Sequence, residues 1–141
     1  MNPRQSHLSL HLPLILVMGI NLGGISSAIA KELMLRGEQE VPPVTSSASA
    51  TGSITVYDDM TVRGNVTTQG LTGTMAHIHD GGMGTNGPVV ITLVKVGDTW
   101  AVPPGSKLTA EQFRHYKAGD LYINVHTAAN PKGEIRAQLE P

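Results

Sequence analysis

The chain has 141 residues, with 10 Lys or Arg against 11 Asp or Glu, so its formal net charge is −1. This balance excludes the strongly basic surface with which proteins bind nucleic acid or anionic lipid. The chain contains no cysteine, which excludes disulfides and thiolate metal ligands. A transition-metal site would therefore have to be built from His, Met or carboxylate side chains.

The first 30 residues have the pattern of a secretory signal peptide. Arg4 supplies the basic start, residues 12–20 form an apolar run, and Ala28-Ile29-Ala30 fits the small-x-small rule for cleavage. The apolar run is shorter than the roughly 20 residues that span a bilayer. We therefore expect cleavage after Ala30, a periplasmic or secreted product, and no membrane span after cleavage. Residues 31–141, with a formal charge of −2, are expected to form one domain.

The remaining chain has the pattern of an all-β protein. Short runs rich in β-branched residues alternate with Gly, Pro, Asn and Asp. One exception is Leu108–Ala118, where Thr109 can cap a short helix that Gly119 ends. The pattern predicts an antiparallel Greek-key sandwich or flattened barrel with one short helix. Its strands are expected near Lys31–Gly37, Ala48–Tyr57, Thr61–Thr68, Thr74–His79, Val89–Val94, Leu121–His126 and Glu134–Leu139.

The last two predicted strands carry polar side chains on a shared face. Strand alternation places Tyr122, Asn124 and His126 on one side of the first strand. If a symmetric antiparallel hairpin joins the two strands, His126 lies opposite Glu134 and Asn124 lies opposite Arg136. A face of this composition indicates chemistry rather than plain solvation.

Two further histidines share a face of the strand near residues 74–79. His77 and His79 lie at positions i and i+2, close enough to bind one metal ion at about 2.0–2.1 Å each. His126, also at a strand end before a loop, is the natural third ligand. His115 on the predicted helix is a weaker ligand candidate, since an exposed or capping role also explains it. Solvated imidazoles with no function remain the alternative for His77 and His79.

Three segments carry a resemblance to a known family. LRGEQEVPPV, AHIHDGGMGTNGPVVITL and LTAEQFRHYKAGDLYINVHTAANPKGEIRAQL resemble the CHRD domain, which is named for chordin and is widespread in exported bacterial proteins. The resemblance runs from Glu32 to Leu139, with Ala137 standing where a Gly often follows E-I-R. It implies a single CHRD domain over residues 31–141.

The H-x-H strand followed by a Gly-rich loop is also similar to the copper site of Cu/Zn superoxide dismutases, which are Greek-key sandwiches. This resemblance implies that His77 and His79 match the copper-binding pair and that His126 matches the later copper ligand. It gives Arg136 the role of guiding the superoxide anion. The zinc ligands have no clear counterpart in this sequence, so the resemblance implies a site that holds copper rather than zinc. It also implies that Glu134 orients His126 without binding the metal itself.

These observations leave three hypotheses open. In the first, an exported domain holds one copper ion in an open, solvent-facing three-histidine site and dismutates superoxide by Cu(II)/Cu(I) cycling. In the second, the same site serves a periplasmic copper chaperone or buffer without turnover. In the third, the domain is a non-catalytic extracellular interaction module. Whether the protein is an enzyme stays open, as does its oligomeric state, a homodimer included.

Overall fold

The structure, a computed structural model, describes residues 31–141. The predicted signal peptide therefore lies outside the described residues. The described part begins with β1 and a single 3-10 turn, and one α-helix, α1, precedes the last two strands. The elements are β1 (Leu33–Arg36), the 3-10 turn (Gly37–Gln39), β2 (Ser49–Val56), β3 (Val62–Gln69), β4 (Gly73–Asp80), β5 (Val89–Thr92), β6 (Val94–Val96), β7 (Thr99–Ala101), α1 (Ala110–Ala118), β8 (Leu121–Thr127) and β9 (Ile135–Leu139).

The strands form one antiparallel sheet that curls into a nearly closed, flattened barrel. Their order is β5-β4-β8-β9-β1-β2-β3-β7-β6, so β5 and β6 lie at its two ends. A single residue, Leu93, separates β5 from β6, and its N–H donates to Ala76 O at 2.9 Å. The chain itself thus joins the two edges. The connections from β3 to β4 and from β7 to β8 link strands that are not neighbours, as in Greek-key folds. The predicted all-β fold with one short helix is confirmed.

The core of the barrel follows from strand alternation. In β4, Ala76 and Ile78 are fully buried inside the barrel, whereas His77 and His79 point to its outer side. In β8, Ile123 occupies the same core, and apolar side chains from the other strands fill the rest. The fully buried members of this core are Leu35, Ala50, Val66, Ala76, Ile78, Leu121, Ile123, Val125 and Ile135.

The strand predicted over residues 89–94 is wrong in detail, and β7 is missing from the prediction. The chain leaves β5 at Thr92 and enters β6 at Val94, and β6 then pairs with β7. Each of these two strands has three residues, too few to show an alternating pattern. Tertiary packing defines them instead: Trp100 of β7 pairs with Val66 of β3, and its indole is buried.

The short helix is confirmed. The Thr109 side chain accepts from Gln112 N and the Gln112 side chain accepts from Thr109 N, which makes a capping box before α1. Gly119 ends the helix with a φ of 81°, a left-handed conformation that favours glycine. Within residues 31–141, no helix is both long and apolar enough to cross a membrane.

Candidate metal centre

The outer face of β4 and β8 gathers the histidines that the sequence singled out. The two strands are antiparallel neighbours, with His77 opposite Asn124 and Met75 opposite His126. Side chains that face each other in such a ladder have Cβ atoms about 4.5–5.5 Å apart. On the other side of β8, Asn124 pairs with Arg136 of β9, the register expected from the sequence.

His77, His79 and His126 form one compact cluster. Each offers a ring nitrogen that lies within 4.8 Å of the corresponding nitrogens of the other two. The ring centroids are 4.9 Å apart for His77 and His126 and 5.5 Å apart for His77 and His79. His77 is half-buried, whereas His79 and His126 are 8% and 6% exposed. The three side chains could hold a metal ion.

Backbone carbonyls set the tautomers of two of these rings. His79 Nδ1 lies 2.9 Å from Gly87 O, and His126 Nδ1 lies 3.0 Å from Pro131 O. A carbonyl oxygen accepts and never donates, so each Nδ1 carries the proton. The Nε2 lone pairs of both rings therefore point into the cluster, which is how metal-binding histidines are usually held.

The third ring closes the cluster through a short nitrogen–nitrogen contact. His77 Nδ1 lies 3.0 Å from His126 Nε2, so without a metal His77 donates this hydrogen bond. Adjacent ligands bound at 2.0–2.1 Å are separated by about 2.9–3.4 Å for angles between square-planar and tetrahedral. The separation of these two nitrogens therefore matches that of adjacent ligands of one metal ion.

The environment keeps all three imidazoles neutral. Burial lowers the pKa of His77, and the neighbouring His126 and His79 lower it further. Burial also lowers the pKa of His79 and of His126, although the bonds to Gly87 O and Pro131 O partly oppose this. Neutral imidazole is the form that binds metal ions, so the cluster is ready to do so at neutral pH.

His79 and His126 are covered rather than open to solvent, in contrast to the expectation from the sequence. The segment after β4, residues 81–88, folds back over the outer face of the sheet. Gly87 N donates to Tyr122 Oη at 3.3 Å, and Asn86 Nδ2 donates to Val41 O at 2.8 Å. The Tyr122 ring stacks on the His79 ring, with centroids 4.7 Å apart and planes 3° from parallel. His77 is the more exposed member of the set.

Arg136 holds this segment in place and is 1% exposed. Its Nη1 donates to Thr85 O at 2.8 Å and its Nη2 to Gly82 O at 3.1 Å. The guanidinium carbon lies 3.4 Å from the centroid of the Tyr122 ring. An anion arriving from solvent does not meet a guanidinium that is buried and engaged in this way. The geometry therefore gives Arg136 a role in positioning residues 81–88, and its anion-guiding role stays a prediction from the analogy.

Glu134 makes no hydrogen bond to His126, whose Nδ1 is held by Pro131 O instead. The Glu134 carboxylate accepts from Thr127 Oγ1 at 2.6 Å, from Ser46 Oγ at 2.7 Å and from Asn130 Nδ2 at 3.2 Å. These hydrogen bonds lower its pKa against the opposing effect of burial. Glu134 thus fixes the loop between β8 and β9, and its role in orienting His126 stays a prediction from the analogy.

His115 lies apart from the cluster. Its Nδ1 pairs with the Asp80 carboxylate at 2.8 Å, which ties α1 to the end of β4. The hydrogen bond to Asp80 raises the pKa of His115, the opposite of the effect of burial on the three clustered histidines. The weaker ligand candidate of the sequence analysis is therefore not brought to the cluster.

Comparison with known proteins gives one positive result: residues 32–139 match the family described as the CHRD domain. The chain belongs to the CHRD family. No curated protein and no solved structure matches it significantly. The three clustered histidines all lie within the matched region of this CHRD domain.

Several residues that shape the centre were missed in the sequence. Gly87 and Pro131 act through backbone carbonyls, which no side chain pattern reveals. Tyr122 and Asn124 were placed on the polar face by alternation, but nothing in the pattern indicated their contacts with His79. Glu40 was not singled out at all, although this CHRD domain buries its carboxylate beside Asn124.

Proposed function

We propose that this CHRD domain is an exported copper-binding protein in which His77, His79 and His126 hold one copper ion. The observation that carries the proposal is the pair of carbonyl-held rings whose Nε2 lone pairs converge with the third imidazole. The cluster supplies three imidazole nitrogens and no thiolate or carboxylate. By the divalent affinity order, such an imidazole set favours copper over zinc.

The residues around the cluster are suited to a protected redox ion. Copper, when bound, supplies one-electron chemistry through its Cu(II) and Cu(I) states. The chain keeps the three imidazoles neutral, fixes two of them through Gly87 O and Pro131 O, and shields His79 behind Tyr122. These features support tight copper retention by preformed ligands.

The bound copper would serve one of two functions, namely catalysis of superoxide dismutation or copper carriage without turnover. The guanidinium of Arg136 is buried and bonded to Thr85 O, so it is not accessible to superoxide from solvent, and this supports carriage by a periplasmic chaperone or buffer over turnover. The second candidate function, an extracellular interaction module, is favoured by exposed apolar side chains on β5 and β6, namely Val89, Val94 and Val96.

The experiment that tests the proposal is copper uptake by the purified protein under dialysis against a weak chelator. We expect one copper per chain in the wild type and in the His115→Ala control. The triple variant His77→Ala, His79→Ala, His126→Ala should retain no copper while keeping its fold by circular dichroism. Copper retained equally by the triple variant would contradict the proposal. Superoxide decay measured with the loaded wild type then separates turnover from carriage.

A further inference from the structure

Asn124 lies on the same face of the sheet as the three histidines. It lies directly opposite His77 on β4 and two residues before His126 on the same face of β8. Its Oδ1 is 3.1 Å from His79 Nε2, and the side chain is 2% exposed. Asn124 thus contacts His79, lies beside the other two histidines on the same face of the sheet, and is almost wholly buried.

The orientation of the Asn124 amide is fixed from the side away from the histidines. The Glu40 carboxylate lies on that side. Glu40 Oε1 and Asn124 Nδ2 are close together there, because a Cβ atom added at Gly133 would overlap both of them. Among the described residues, Oε1 has no regular hydrogen-bond partner. A carboxylate oxygen accepts hydrogen bonds and the Asn124 Nδ2 group donates them, and both lie against the same point beside Gly133. The NH₂ group therefore faces Glu40, which leaves Oδ1 facing His79.

In this arrangement a lone pair of His79 Nε2 faces a lone pair of Asn124 Oδ1. His79 Nδ1 gives its proton to Gly87 O, so the neutral ring has no proton at Nε2. Two acceptors 3.1 Å apart repel each other unless a cation lies between or beside them. The separation also falls in the range of about 2.9–3.4 Å expected for adjacent ligands of one metal ion.

We infer that Asn124 Oδ1 is a fourth metal ligand, which turns the three-nitrogen site into a three-nitrogen, one-oxygen site. The inference rests on the proposed copper function and deepens it. Square-planar or tetragonal sets of nitrogen and oxygen suit Cu(II), so the oxygen stabilises Cu(II) relative to Cu(I). Glu40 holds the amide in the binding orientation. Asn124 thereby sets which oxidation state the site retains.

The test compares Cu(II) and Cu(I) affinities of the full protein, each measured by competition with a chelator specific for that state. We expect Asn124→Leu, which is close in size, to weaken Cu(II) binding at least tenfold while Cu(I) binding changes less than about twofold. For a one-electron couple, a tenfold change in this ratio raises the reduction potential by about 59 mV. Asn65→Leu, at an exposed position of β3, is the matched control and should leave both affinities unchanged.

Equal weakening of Cu(II) and Cu(I) binding by Asn124→Leu would overturn the inference, because it would mean that Asn124 only positions His79. Unchanged affinities would overturn it as well. Wild-type protein that binds no copper would instead refute the proposed function itself.

A second measurement does not depend on the folding of a variant. Wild-type protein carrying carbon-13 at its asparagine side-chain carbonyls should show a carbon coupling to Cu(II) by electron–nuclear double resonance, and its absence would overturn the inference.

Discussion

Replacing Arg136 by leucine is expected to lower the free energy of unfolding by about 3–5 kcal/mol, the loss typical when one partner of a buried charged network is removed. The substitution leaves Thr85 O and Gly82 O without their donor. It also removes the positive charge that stabilises the buried Glu40 carboxylate. Burial raises the pKa of Glu40 to about 6 even with Arg136 present. Urea denaturation of the metal-free protein measures the loss.

Arg63→Leu is the matched control for this substitution. Arg63 is exposed on β3 and its guanidinium carbon lies 6.0 Å from the Tyr57 ring centroid, so its loss should cost at most about 0.5 kcal/mol. Arg136→Lys should not restore stability, because an ammonium group cannot reproduce the planar fork of donors. A loss below about 1 kcal/mol for Arg136→Leu would contradict the positioning role, since surface substitutions give losses of that size.

His79→Ala and His126→Ala are each expected to lower copper affinity by at least about 100-fold, which corresponds to about 2.7 kcal/mol. Each removes one of three nitrogen donors whose orientation a backbone carbonyl has already fixed. His115→Ala removes an imidazole that pairs with Asp80 and should change the affinity less than about twofold. Competition titration with a chromophoric chelator measures all three. Equal losses in all three variants would refute the ligand assignment.

Strand alternation explains how much of the site could be predicted. A period of two residues puts His77 and His79 on one face of β4, and Asn124 and His126 on one face of β8, whatever the rest of the fold. The residue count of the final hairpin likewise gave the pairing of Asn124 with Arg136, which the structure confirms. Both predictions depend on local geometry, and local geometry is encoded within a few residues.

The cover over the site could not be predicted in this way. Whether the outer face of β4 is exposed to solvent or buried depends on where residues 81–88 fold. Their position in turn depends on hydrogen bonds from Arg136, about 50 residues later in the chain, to their backbone carbonyls. The same holds for the Pro131 carbonyl that holds His126 and for Glu40 beside Asn124. Backbone carbonyls carry no residue-specific signal, and a Glu before Val-Pro-Pro gives no indication of burial.

The most direct test of the central claim is a Cu(II) electron paramagnetic resonance spectrum of the purified protein, recorded with one equivalent of copper and a competing weak chelator. A copper ion held by His77, His79 and His126 predicts a tetragonal spectrum with couplings to several nitrogens, and loss of that spectrum in the His77→Ala variant. A spectrum of chelator-bound copper alone in the wild type would contradict the claim and leave the interaction module as the leading function.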